Sequence, residues 1–202
     1  MNREDVEREL RELCAAGRHK EATHLALTTY GPEILGLLMV LAGNEADACD
    51  AFSAFCEDFW AGISRFEWRS SLRTWSYTVA RNAFYTQASN PKRAAGRNVP
   101  LSEAPEVAAL AVQVRTDTLP HLRTELKQKV QALRESLTPD DRLLLTLRID
   151  QGLSYEEIAR VTLGDGALDA EVLARENQRL RQRLTVVKKS LKEKARAAGI
   201  RE

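Results

Sequence analysis

Apolar side chains in this chain recur three and four residues apart, and that spacing restricts the fold more than any other property. Ala48, Phe52, Phe55 and Phe59 follow at intervals of 4, 3 and 4, which puts them on one face of a helix. Long alternating runs of β-branched residues are absent, and no Asn-Gly or Asp-Gly hairpin joins two such runs. The pattern predicts an all-α protein. Helices are expected over Glu4 to Ala16, His19 to Tyr30, Glu45 to Ile63 and Ser71 to Gln87. Gly31-Pro32 should break or turn the chain ahead of a buried apolar segment, Pro32 to Leu41.

The texture then changes. The stretch SNPKRAAGRNVPLSEAPEVAALAVQVRTDTLP (89–120) holds four of the six prolines and little periodicity, and residues 88–119 read as a flexible linker, partly ordered at best. Two helical modules are therefore expected, residues 1–87 and 120–202. In the second, Thr138 is a good N-cap with Pro139 at the first helical position. Gly152 ends that helix, and Ser154-Tyr155-Glu156-Glu157 forms a capping box. Helix, glycine turn, short capped helix and basic helix is the order of a helix-turn-helix. Leu173, Leu180, Leu184, Val187 and Leu191, spaced 7, 4, 3 and 4, predict one long helix from Leu168 to Ala198.

A net charge of +1 conceals segregated charge. Glu33, Glu45, Asp47, Asp50, Glu57 and Asp58 share a stretch with no lysine or arginine. Arg69, Arg73, Arg81, Lys92, Arg93 and Arg97 share one with no acid. From Arg175 to Arg201 ten basic residues stand against Glu176 and Glu193. Such segregation suggests electrostatic partners. Cys14, Cys49 and Cys56 form neither a CxxC pair nor a disulfide framework, and with His19, His24 and His121 they show no metal-ligand spacing. No nucleotide-binding glycine loop or nucleophile arrangement is recognisable, so no cofactor and no catalysis are expected. No run of about 18 apolar residues suggests a membrane span. The opening MNREDVERELREL is not a signal peptide, which leaves the cytoplasm as the expected compartment.

Ten of the twelve aromatics lie between Phe52 and Tyr85. Within SSLRTWSYTVARNAFY, Leu72, Trp75 and Val79 are expected to face inward. Arg73, Tyr77, Arg81 and Tyr85, each four apart, form an opposing stripe that alternates cation and ring. Rings stack on unpaired bases, arginines neutralise phosphates, and an amide such as Asn82 can read a base edge. That stripe is expected to meet single-stranded DNA.

These segments resemble regions two and four of the extracytoplasmic-function sigma factors, the smallest bacterial transcription initiation factors. DACDAFSAFCEDFW (47–60), Arg65-Phe66 and SSLRTWSYTVARN (70–82) carry the likeness in the first module. LTPDDRLLLTLRIDQGLSYEEIA (137–159) and RLTVVKKSLKE (183–193) carry it in the second. The resemblance implies a factor that binds core RNA polymerase, recognises the −10 and −35 promoter elements and promotes melting. It implies that the aromatic helix and the loop after it, with Asn90, Lys92 and Arg93, hold the non-template strand of the −10 element. It places Asp50, Asp58 and Trp60 near the polymerase clamp helices. It makes Arg181, Gln182, Arg183, Thr185, Lys188 and Lys189 contacts to the −35 duplex, arginine suiting guanine, glutamine adenine and lysine phosphate. The linker would thread past the polymerase active site, and an anti-sigma factor is a further expected partner.

Three features depart from the family pattern. Ser53-Ala54 stands where a glutamine and an acid are usual. Val186 occupies a position often basic in relatives. The segment DGALDAEVLARENQRLRQ replaces a tight turn before the recognition helix. Two other readings stay open: a helix-turn-helix regulator that binds duplex DNA without polymerase, and a sigma-like interaction protein that has lost promoter selectivity.

Overall fold

A computed structural model describes residues 2–89, 105–122, 136–164, 166 and 168–197, and every regular element among them is helical. The first is α1 (Arg3–Ala15), capped by the Asn2 side chain, which accepts from the Asp5 amide at 2.9 Å. Val6, Leu10 and Leu13 form its buried face.

The next element differs from expectation. α2 (His19–Ala42) is one continuous helix that runs through Gly31 and Pro32. Pro32 removes one backbone hydrogen bond, but the apolar residues on both sides of it, from Ala22 to Leu41, are buried and hold the helix together. α2 is long and apolar enough to cross a membrane by length and composition. Here its apolar surface lies in a protein core, among the other helices.

α3 (Glu45–Ile63), capped by Asn44, buries Ala48, Phe52, Phe55 and Phe59, the residues whose spacing predicted a shared face. Neighbouring rings along it sit 5.6 Å apart, and the row continues onto Trp75 of α4 (Leu72–Ser89) at 5.0 Å. Burying each phenylalanine contributes on the order of 1.5–3 kcal/mol.

Part of the stretch read as linker is ordered. α5 (Pro105–Leu122) packs on α2 and α3 and buries Val107, Leu110, Ala111 and Val114, an interrupted but helical spacing. Pro105 stands in its first turn, where a missing N–H costs nothing, and so the proline that suggested a linker is compatible with the helix. The close approach is made at Gly31: a Cβ there would lie 3.0 Å from Val114 Cγ1. Arg115 Nη1 donates to Ser53 Oγ at 3.3 Å.

In the second module, α6 (Pro139–Leu145) begins with Thr138 accepting from the Asp141 amide, and it widens into a π-type turn, Thr146–Asp150. Gly152 takes φ +70°, which suits glycine. The Leu153 amide then donates to Leu147 O at 2.9 Å and closes the helix end. α7 (Tyr155–Leu163) starts with both halves of the Ser154–Glu157 capping box formed. α8 (Ala170–Ala197) is the single long helix that the leucine spacing predicted. The two modules touch: α7 packs on α4, and α6 packs on α2.

Candidate nucleic-acid interface

α4 is held at its start by residues far away in sequence. Glu7 of α1 accepts from the Leu72 amide at 2.8 Å and the Arg73 amide at 2.9 Å, and so serves as a remote N-cap. Tyr30 donates to the same carboxylate at 2.9 Å. Ser71 Oγ accepts from the Thr74 amide at 3.1 Å. Trp75 lies between Phe59 and Phe66, stacked on the latter at 4.9 Å.

The four-residue stripe does not form one exposed surface. Arg73 is 7% exposed and Tyr77 is fully buried. Arg73 makes a bidentate pair with Glu33 of α2, Nε to Oε1 at 2.6 Å and Nη2 to Oε2 at 2.9 Å. Its Nη2 also donates to Gln151 O at 3.1 Å, in the second module. Burial opposes the charge on Arg73, but the bonds from Glu33 prevail and its pKa rises. Burial, with Glu33 nearby, pushes the Tyr77 phenol upward as well. The cause is the setting of α4, which has α3 on one side, α2 on another and α7 on a third. A helix covered on three sides has no free opposing face in its first half, so Arg73 and Tyr77, expected as an exposed stripe, are buried in this structure.

The second half of α4 keeps an accessible surface. Asn82 is exposed, and Arg81 and Tyr85 are half-buried. The Arg81 guanidinium lies 4.9 Å from the Tyr85 ring centroid, a cation–ring pair. Tyr85 Oη donates to Asp140 Oδ1 at 2.7 Å. Burial first, and then that hydrogen bond, push its phenol up to about 12. Asn90, Lys92 and Arg93 lie outside the described residues.

On α8 the leucine face turns inward: Leu173, Leu180, Leu184 and Val187 are buried. Arg181, Gln182, Thr185, Lys188 and Lys189 are exposed, and intervals of 1, 3, 3 and 1 put them on one face. The Arg181 guanidinium lies 5.2 Å from the Tyr155 ring centroid, and that of Arg148 lies 4.9 Å from it, so α7 helps to hold Arg181. Arg183 points elsewhere. It binds Asp141 of α6 bidentately, both contacts 2.6 Å, and holds that carboxyl below the usual carboxylate range. Val186 is 58% exposed beside the basic face.

On α3, Asp50 is exposed and Asp58 is half-buried, while Trp60 packs partly against the core. Burial, with Asp58 second, raises the Glu57 carboxyl. Ser53 is engaged by Arg115 and donates to Cys49 O at 3.0 Å. Sequence spacing missed Glu33, Asp140 and Gln151, each of which binds an α4 side chain, and Glu7, which caps α4 through its backbone amides. No local signal marks them, because their partners lie dozens of residues away.

Residues 26–93 match the family model for sigma-70 region 2. The chain is similar to the RNA polymerase sigma-H factor of Pseudomonas aeruginosa, 32% identical over 150 residues that cover 70% of this chain and 75% of that protein. It is similar to the ECF RNA polymerase sigma-E factor of Haemophilus influenzae, 30% identical, covering 70% of this chain and 76% of that one. The sigma-E factor of Escherichia coli strain K12 is also 30% identical, with 70% and 75% covered. No solved structure matches the chain.

Proposed function

The chain belongs to the extracytoplasmic-function sigma factors of bacterial transcription initiation, and we propose that three of its surfaces divide the work of initiation. The acidic side of α3, with Asp50 and Asp58, and Trp60 beside it, docks on core RNA polymerase. The exposed end of α4 holds unpaired bases of the −10 element. The outer face of α8 reads the −35 duplex. The factor adds no catalysis of its own; the polymerase supplies the chemistry.

On α4 the work falls to Arg81, Asn82 and Tyr85. A ring with a guanidinium against it offers a base both a stacking face and a charge for its phosphate, and the exposed amide can address a base edge. Asn90, Lys92 and Arg93, which follow α4 in the sequence, are assigned to the same strand. On α8, Arg181, Gln182 and Thr185 are placed to meet base edges, and Lys188 and Lys189 to meet phosphates. Arg183, bonded to Asp141, is assigned to fixing α8 on α6 and not to reading a base. The division into a polymerase- and strand-binding module (1–87), a connecting stretch (88–119) and a duplex-binding module (120–202) follows this allocation, with α5 as an ordered part of the connection.

The observation that carries the proposal is the presence in one chain of both the region 2 match and a capped helix-turn-helix with five polar or basic residues on one outer face. A factor of this kind works beside the chromosome, in the cytoplasm, and an anti-sigma factor is a suitable antagonist for the acidic and basic surfaces. A gel assay with purified core polymerase and forked promoter DNA tests the reading. Core-dependent, sequence-selective binding is expected. Duplex binding without core would identify a regulator instead, and core binding without selectivity would identify an interaction protein.

A further inference from the structure

One apolar side chain interrupts the polar outer face of α8. Val186 is 58% exposed, more than any other large apolar residue among those described. Leu180, Leu184 and Val187 are buried and set the inward direction of the helix. At about 100° per residue, Gln182 and Lys189 point almost directly away from them, and Thr185 and Val186 lie about 50° to either side. Val186 thus shares the outer face, one turn from Gln182 and one turn from Lys189. The neighbour whose long stem could shield it, Arg183, is drawn to Asp141 by two contacts of 2.6 Å.

Local stability does not account for a valine at this position. A β-branched residue is a poorer helix former than the arginines, lysines and glutamine around it, and an exposed one gains little from burial.

We propose that Val186 is a specificity residue: it packs on the C5-methyl of a thymine in the −35 duplex and so selects an A·T pair at that step. This rests on the assignment of α8 to the duplex. The thymine methyl is the one apolar group that a base edge presents in the major groove. Valine carries two methyls and neither a donor nor an acceptor in its side chain. It gains from the thymine methyl by removing apolar surface from water, and it offers nothing to the edge of guanine. Its single preferred χ1 in a helix means that little side-chain freedom is lost on contact. Gln182 and Lys189 carry other tasks on the same face, since glutamine suits adenine and lysine suits phosphate.

The test uses the full chain with core polymerase and promoter duplexes selected from the host genome. Each thymine of the −35 element, on either strand, is replaced singly by deoxyuridine, which keeps the pairing and removes only the C5-methyl. Competition fluorescence anisotropy reads relative affinity. At one position wild type should bind the uracil duplex about threefold to fourfold more weakly, the value of one buried methyl. In Val186→Ala that ratio should fall below about 1.5 at the same position, and the double-mutant cycle cancels any effect of uracil on the duplex itself. Position 186 is exposed and alanine is the better helix former, so the variant keeps its fold, which circular dichroism checks.

Wild-type ratios below about 1.5 at every position, or an element without an A·T pair, would overturn the inference. So would a ratio that Val186→Ala leaves unchanged, because another side chain would then hold the methyl. In those cases the assignment of α8 still stands if a scrambled −35 sequence binds at least about tenfold more weakly. If wild type does not distinguish the scrambled sequence, that assignment fails and the inference falls with it.

Discussion

Arg73 and Glu33 form a two-pronged ion pair across α4 and α2, 2.6 and 2.9 Å long, with the arginine 7% exposed. The pair converts a residue that the sequence presents as a DNA contact into one that holds two helices together. Removing one member of a buried pair leaves the other charge without its partner. Arg73→Ala should therefore destabilise the chain by about 3–5 kcal/mol, read as a lowered urea midpoint. A variant of wild-type stability with weakened DNA binding would restore Arg73 to the interface.

Gly31 and Val114 give a second check on the packing, because α5 crosses α2 where a Cβ would meet Val114 at 3.0 Å. Alanine is worth about 1 kcal/mol more than glycine inside a helix, so Gly31→Ala combines a propensity gain with a clash. In a Val114→Ala background the clash is gone. Gly31→Ala should then be more favourable than in wild type by at least about 0.5 kcal/mol in a double-mutant cycle. Additivity of the two changes would mean that α5 does not sit on Gly31.

What could be read ahead of the structure divides by range. Thr138, Ser154 and Glu157 cap helices through bonds three residues long, and their sequence signature is local. α8 was legible from its leucines because a helix carries its own period. Which α4 residues share a face was legible too, but not which face is covered: Arg73 and Tyr77 are buried, whereas Trp75 and Val79, expected inward, are half-buried. A four-residue stripe tells which residues share a face, while burial of Arg73 and Tyr77 depends on Glu33 and on the docked second module, 40 and 78 residues from Arg73. α5 was obscured for a related reason: its prolines look like linker, and its apolar face has meaning only once α2 supplies Gly31 as a seat.

Asp141 makes stability depend on acid. Its hydrogen bonds from Arg183, opposed by burial, set its folded pKa below the ordinary value. A carboxyl depressed in this way contributes stability that is present above its unfolded pKa, about 3.9, and is lost as pH falls through the lower folded value. Wild type should lose more stability than Asp141→Asn as pH is lowered from about 5 to about 3, measured by urea midpoints. Parallel pH profiles would show that the pair contributes nothing to folding.

Lys188 and Lys189 stand exposed on the outer face of α8. If they neutralise phosphates, the double alanine variant should weaken duplex binding uniformly across sequences. It should also flatten the dependence of log K on log salt by about 1.8, or ~0.9 per contact. An unchanged salt slope would remove both lysines from the groove face.

Permanganate footprinting of promoter DNA with core polymerase tests the central claim most directly, because it reads unpaired thymines at the step assigned to Arg81 and Tyr85. Promoters selected from the host genome provide the template. Reactive thymines are predicted at the −10 element when chain and core are both present and with neither alone, and a folded Tyr85→Ala variant should lose that reactivity while still binding core. Full reactivity with Tyr85→Ala, or promoter protection by the chain alone with no thymine exposed when core is added, would contradict the account.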